Sequence, residues 1–142
     1  MLRTVLCLAL VTIAAAADWT VGWKNAAEAA AKAKKPILAE FTGSDWCSWC
    51  IKLKDEVFST PEFAAWATDK VVLLKVDFPN QTALAPDLAN GNQALAEKYK
   101  VDGFPTIVLL SATGTELGRL GYKEGGPKPW IAAADKILAG AH

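Results

Sequence analysis

The stretch Phe41-Thr42-Gly43-Ser44-Asp45-Trp46-Cys47-Ser48-Trp49-Cys50-Ile51-Lys52 decides how the rest of the chain is read. It places a Cys-x-x-Cys pair where an apolar strand pattern gives way to a helical one. Gly43 and Ser44 break the strand, and Ser44 or Asp45 can cap a helix that begins near Cys47 and carries Ile51, Leu53, Val57 and Phe58. The two thiols therefore fall in the first turn of a helix.

Upstream, Asn25 can cap a helix over Ala26 to Lys35, with Glu28 and Lys32 spaced i to i+4 and lysines toward its end. A short strand at Trp19 to Trp23 precedes it, and Pro36 stops it. Ile37 to Phe41 reads as a buried strand whose one polar interruption is Glu40. Downstream, Ser59-Thr60-Pro61-Glu62 offers a capping box with proline in the opening turn, so the thiol-bearing helix should be kinked or interrupted before a piece carrying Phe63 and Trp66.

Val71 to Val76 reads as a central strand, followed by a turn at Asp77-Phe78-Pro79-Asn80. A helix is expected from Gln93 to Lys100. Thr106 to Leu110 and Thr115 to Leu120 form a hairpin about Ala112-Thr113-Gly114. Gly125-Gly126-Pro127 leads into a last helix with Trp130, Ile131, Ala134, Ile137 and Leu138 on one stripe. The pattern predicts an α/β fold with a mixed sheet and helices on both faces.

At 142 residues, 52% apolar and 21% charged, the chain reads as one globular domain. Fifteen basic residues balance fifteen acidic ones, which argues against nucleic acid or an anionic membrane surface as partner. Met1-Leu2-Arg3, the apolar run Val5 to Ile13, and Ala14 to Ala17 have the three parts of a secretory signal peptide, cleaved after Ala17. Residues 1–17 are thus expected to leave with Cys7, and residues 18–142 to form the domain. An uncleaved anchor is the alternative, though the run falls short of the roughly 20 residues that span a bilayer.

The exported chain, periplasmic or secreted, would keep Cys47 and Cys50 as its cysteines, in a compartment where such a pair can be oxidised and cycled. A two-residue loop gains little from a structural staple, because that gain grows with loop length. Zinc needs about four ligands, and beyond the two thiols the chain has one histidine, the terminal His142, so no metal site is expected. His142 makes no credible catalytic partner either.

Trp46-Cys47-Ser48-Trp49-Cys50 after a strand, Gly103-Phe104-Pro105-Thr106 before the hairpin, and Gly121 after the last strand together resemble the thioredoxin superfamily, most of all its exported single-domain members. The resemblance implies a three-layer sandwich whose mixed central sheet ends in an antiparallel hairpin. It implies a redox disulfide Cys47–Cys50, a nucleophile at Cys47, a resolving thiol at Cys50 and a cis-proline at Pro105. Trp46, Trp49, Phe104 and Thr106 would border the substrate groove. Trp19, Trp23, Trp66 and Trp130 are expected in packing roles.

Two departures stand out. Ser48-Trp49 between the cysteines matches none of the Gly-Pro, Gly-His or Pro-His pairs of familiar members, which leaves the direction of electron flow open. Glu40 matches the family's buried acid only if one extra residue separates it from Cys47; an exposed strand end or a pair with Lys75 is the other reading. If buried, it is a candidate proton relay to Cys50.

The expected function is an exported thiol-disulfide oxidoreductase, reducing or isomerising in preference to strongly oxidising. Its partners would be protein disulfides or dithiols and an electron donor or acceptor, with no cofactor, no nucleic acid and a monomeric state. The alternative is a client-binding or chaperone-like module on the same fold, in which the cysteine pair is not catalytic.

Overall fold

The structure is a computed structural model and describes residues 16–141. Most of the expected signal peptide, with Cys7, and the terminal His142 lie outside the described residues. Among those described, no helix is long and apolar enough to cross a membrane.

Five strands form one sheet in the order β1-β3-β2-β4-β5: β1 Trp19–Val21, β2 Ile37–Thr42, β3 Val72–Asp77, β4 Thr106–Leu110 and β5 Glu116–Leu120. β3 runs parallel to both β1 and β2, whereas β4 is antiparallel to β2 and to β5. The mixed sheet and its closing hairpin match the expectation. Tyr99 fastens the hairpin turn, its hydroxyl donating to the Gly114 carbonyl at 2.7 Å.

The helices are α1 Trp23–Ala33, α2 Ser48–Leu53, α3 Pro61–Lys70, α4 Pro86–Lys98 and α5 Pro127–Ala139. α1 and α4 cover one face, packing Ala26, Ala30, Leu95, Ala96 and Tyr99 onto Ile37, Ala39, Phe41, Leu74 and Val76. The other face carries α2, α3 and α5, which bring Leu53, Phe63, Ala67, Trp130 and Ala134 onto Leu38, Leu73, Ile107 and Leu109. Alternate residues of β2 point to opposite faces, so Ile37, Ala39 and Phe41 join the first cluster and Leu38 the second.

Three local expectations are corrected. α1 begins at Trp23 rather than Ala26, with Gly22 at its N-cap at φ 83°. Asn25 lies inside the first turn and donates back to the Val21 carbonyl at 3.0 Å instead of capping. α4 begins at Pro86, not Gln93, because Pro86 and Asp87 suit an opening turn while Asn90, Gly91 and Asn92 hide the helix from propensity. Buried Asn92, in the middle of α4, ties the helix to the end of β3 by donating to the Asp77 carbonyl at 3.0 Å.

At the third position, Thr60 alone caps α3, accepting the Phe63 amide at 3.3 Å. Glu62 is then the second helical residue, out of register for the reciprocal bond of a capping box. The thiol-bearing helix is interrupted as expected. After Leu53 it widens into a π-helical turn over Lys54–Phe58, in which the Ser59 amide donates to the Lys54 carbonyl at 2.8 Å. The extra residue per turn lets consecutive Val57 and Phe58 both reach the core.

Candidate active site

The site lies where β2 ends. Cys47 is the N-cap of α2, and its Sγ accepts the Cys50 amide at 3.3 Å. The Cys47–Cys50 disulfide is formed, with Cα atoms 5.2 Å apart. Cys47 is 8% exposed and Cys50 2%, so both sulfurs sit at the floor of the surface. Ile51 is exposed beside them, because the face of α2 that meets the core passes through Cys50 and Leu53.

Register brings the distant proline loop to the same end of the sheet. Phe41 pairs with Thr106, so the chain entering β4 lies beside the chain leaving β2. The Phe104–Pro105 peptide is cis. Thr106 turns its hydroxyl into this loop, donating to the Gly103 carbonyl at 2.7 Å. Phe104 stacks on Phe78 with centroids 5.1 Å apart and meets the Trp46 ring edge-on at 6.0 Å.

The two tryptophans expected at the groove have different settings. Trp46 is 46% exposed, yet its indole N–H donates to the Phe78 carbonyl at 2.7 Å and its ring lies over Gly43, where a Cβ would collide with it. Trp49 is 53% exposed and belongs to a separate cluster that includes Tyr122. There the Trp49 and Tyr122 centroids are 5.0 Å apart, and Lys52 Nζ lies 5.0 Å from one ring and 5.2 Å from the other. Tyr122 donates to Glu56 at 2.5 Å, a bond that raises the phenol above its ordinary range.

The remaining tryptophans pack. Trp130 is fully buried, Trp19 stacks near Phe63, and Trp66 donates to Asp135 at 2.8 Å.

Glu40 is 3% exposed and points to the face that carries α2. It lines a cleft of about 370 Å³ together with Trp19, Thr42, Cys50, Lys54 and Lys75. Burial raises its carboxyl from 4.5 to about 7, with Lys75 as the chief opposing influence and Asp77 reinforcing the rise. The exposed-strand-end reading of Glu40 is thereby excluded. Lys75 is its register partner across β2 and β3, but no ion pair joins them.

Asp45, offered by the sequence as a helix cap, does not cap α2, whose N-cap is Cys47. Its carboxylate accepts the amides of Asn80 at 2.9 Å and Gln81 at 2.8 Å, which hold it below the usual carboxylate range. Asp77, Lys54 and Tyr122 are site residues that sequence reasoning missed. Asp77 sat in a predicted turn, and no local pattern tied it to residues 33 positions away.

A helix-start disulfide and a cis-proline loop at the same end of a mixed five-stranded sheet define a thiol-disulfide exchange site on a thioredoxin-like fold. Residues 23–127 match the family model described as a thioredoxin-like domain, and the chain belongs to that family. It is 38% identical over 119 residues to the disulfide bond reductase DsbH of Chlamydia pneumoniae, spanning 82% of this chain and 72% of that protein. The thioredoxin-related protein DsbJ of the same organism is 31% identical over 103 residues, 72% of this chain but 30% of that longer one. A solved DsbH oxidoreductase superposes with a TM-score of 0.86 at 32% identity, covering 98% of this chain and 95% of that one. The chain is a thioredoxin-like oxidoreductase.

Proposed function

We propose that the protein is exported and reduces or isomerises protein disulfides through Cys47 and Cys50. The observation that carries this reading is the pairing of an N-cap sulfur at Cys47 with a buried acid, Glu40, lining the cleft beside Cys50. The reductive direction draws support from the name of the 38% identical relative, a disulfide bond reductase.

Thiolate is the attacking species, and the unpaired amides and partial positive charge at the start of a helix favour it at Cys47. Cys47 thiolate attacks one sulfur of a client disulfide, forming a mixed disulfide and expelling the other client sulfur as thiolate. Glu40, in its ionised form, accepts the Cys50 proton directly or through water in the cleft. The Cys50 thiolate then attacks Cys47 Sγ, breaks the mixed disulfide and releases the second client thiol. Two electrons pass to the client, and the Cys47–Cys50 disulfide awaits a donor. Exposed Trp46 with Phe104 of the proline loop, and exposed Trp49 in its own cluster, would offer apolar surface to an extended client segment.

The test is reduction of an interchain disulfide in a model protein by the purified chain and a thiol donor, with Cys47→Ser as control. Loss of turnover in the variant is expected; equal rates would overturn the reading. Equilibration of the Cys47–Cys50 couple against glutathione settles direction, because reductants and oxidants lie at opposite ends of that scale.

A further inference from the structure

The loop that delivers Cys47 to α2 is fixed from outside itself. The Ser44 amide donates to Asp77 Oδ1 at 3.0 Å, and the Ser44 hydroxyl donates to Asp77 Oδ2 at 2.5 Å. The exchange is reciprocal, since the Asp45 carboxylate takes the amides of Asn80 and Gln81 while the Gln81 side-chain amide donates to the Asp45 carbonyl at 3.3 Å. With the Trp46 indole on the Phe78 carbonyl, each of residues 44, 45 and 46 is bonded to the segment 77–81.

That segment is itself anchored. Asp77 ends β3 opposite Thr42, the Phe78 amide donates to the Thr42 carbonyl at 2.9 Å, and buried Asn92 holds the Asp77 carbonyl. Within the loop, the amides of Trp46 and Cys47 donate to the Gly43 carbonyl at 3.3 and 2.9 Å. Two such bonds do not offset the entropy of ordering four loop residues. Hydrogen bonds to a carboxylate are stronger than neutral ones, and those from the 77–81 segment supply the remaining restraint.

We propose that Asp77 is a positioning residue for the exchange reaction: by holding Ser44 with both carboxylate oxygens it keeps Cys47 at the N-cap of α2. The proposal rests on Cys47 as the attacking thiol, and it gives the reaction a determinant 30 residues beyond that cysteine. The field at a helix start fades within one turn, so a sulfur that drifts from the cap loses its help.

Positioning and bare charge predict opposite signs. A negative charge near a thiol opposes thiolate, so deleting Asp77 as mere charge would lower the Cys47 pKa. Loss of the clamp raises it. The experiment follows the pH dependence of iodoacetamide alkylation of Cys47 in the full reduced chain carrying Cys50→Ser. Asp77→Ala is expected to raise the midpoint by about one unit, which lowers the rate about tenfold below it. Ser44→Ala removes the hydroxyl bond to Asp77 Oδ2 while leaving the amide bond and the charge, and is expected to shift the midpoint in the same direction by a smaller amount; Asp77→Asn, which retains an acceptor, is expected to restore most of the rate.

A lowered midpoint in Asp77→Ala would overturn the proposal. So would an unchanged midpoint with a lower melting temperature, which would make the clamp structural only. If Asp77→Ala does not fold, Ser44→Ala carries the same test. Alkylation needs no turnover, so failure of the reductase assay would count against the proposed function and not against the clamp.

Discussion

Strand β2 buries all six of its residues, yet its two faces do different work. Ile37, Ala39 and Phe41 enter an apolar cluster under α1 and α4. Leu38, Glu40 and Thr42 face α2, and toward the end of the strand that face holds a buried acid and a hydroxyl in a cleft beside Cys50. The side-chain period of two separates stability from chemistry on one strand. The first face is favoured by packing alone, while the second keeps a desolvated carboxyl whose cost varies with pH.

Phe41→Ala gives the largest effect that would break or sharpen this contrast. Removing a fully buried ring should cost about 3–5 kcal/mol in urea unfolding, equally at pH 5 and pH 8. A strong pH dependence in that loss would show that the two faces are coupled.

Glu40→Gln is expected to give the next largest effect. The Glu40 carboxyl holds its proton more tightly folded than unfolded, so its contribution to stability is most favourable below about pH 4.5 and declines as pH rises to about 7. Gln lacks this decline, so the variant should gain about 2–3 kcal/mol relative to wild type between pH 4 and pH 8, read from urea midpoints at each pH. Parallel stability curves would mean that Glu40 is not held protonated by burial. In the exchange assay the same variant should slow release of the mixed disulfide by about 100-fold or more and flatten the rise in rate around pH 7, if Glu40 accepts the Cys50 proton.

The smallest effect on stability belongs to the exposed rim. Trp49→Ala should change stability by no more than about 1 kcal/mol, since its ring is half in solvent. It should nevertheless slow reduction of a protein disulfide several-fold while leaving reduction of a small aromatic disulfide unchanged. Equal slowing on both substrates would place Trp49 in the chemistry of the sulfurs and not in client contact.

Much of this was legible in the chain because local signals agreed with the fold. Pro36, Gly43 and the apolar run between them bound β2, and a helix pattern follows Cys47 at once, so both strand and thiol-bearing helix could be placed. α4 was misplaced by a turn or more because Asn90, Gly91 and Asn92 are poor helix formers. Their helix is secured by packing of Leu95 and Ala96 and by the Asn92 bond to β3, none of which has a local signature. The substrate groove was legible as residue types but not as two separate settings, since Trp46 and Trp49 differ only in distant partners, Phe78 for one and Tyr122 for the other.

The sequence by itself determined the cysteine pair at a helix start, the proline loop before a hairpin and the α/β order, because each depends on residues adjacent in the chain. Only the tertiary structure decided that Glu40 is buried on the Cys50 side, that Asp45 is turned away to the amides of Asn80 and Gln81, and that Asp77 grips Ser44. Those facts follow from which strand lies beside which and in what register, and burial, field and long-range hydrogen bonds are properties of that arrangement rather than of any single stretch.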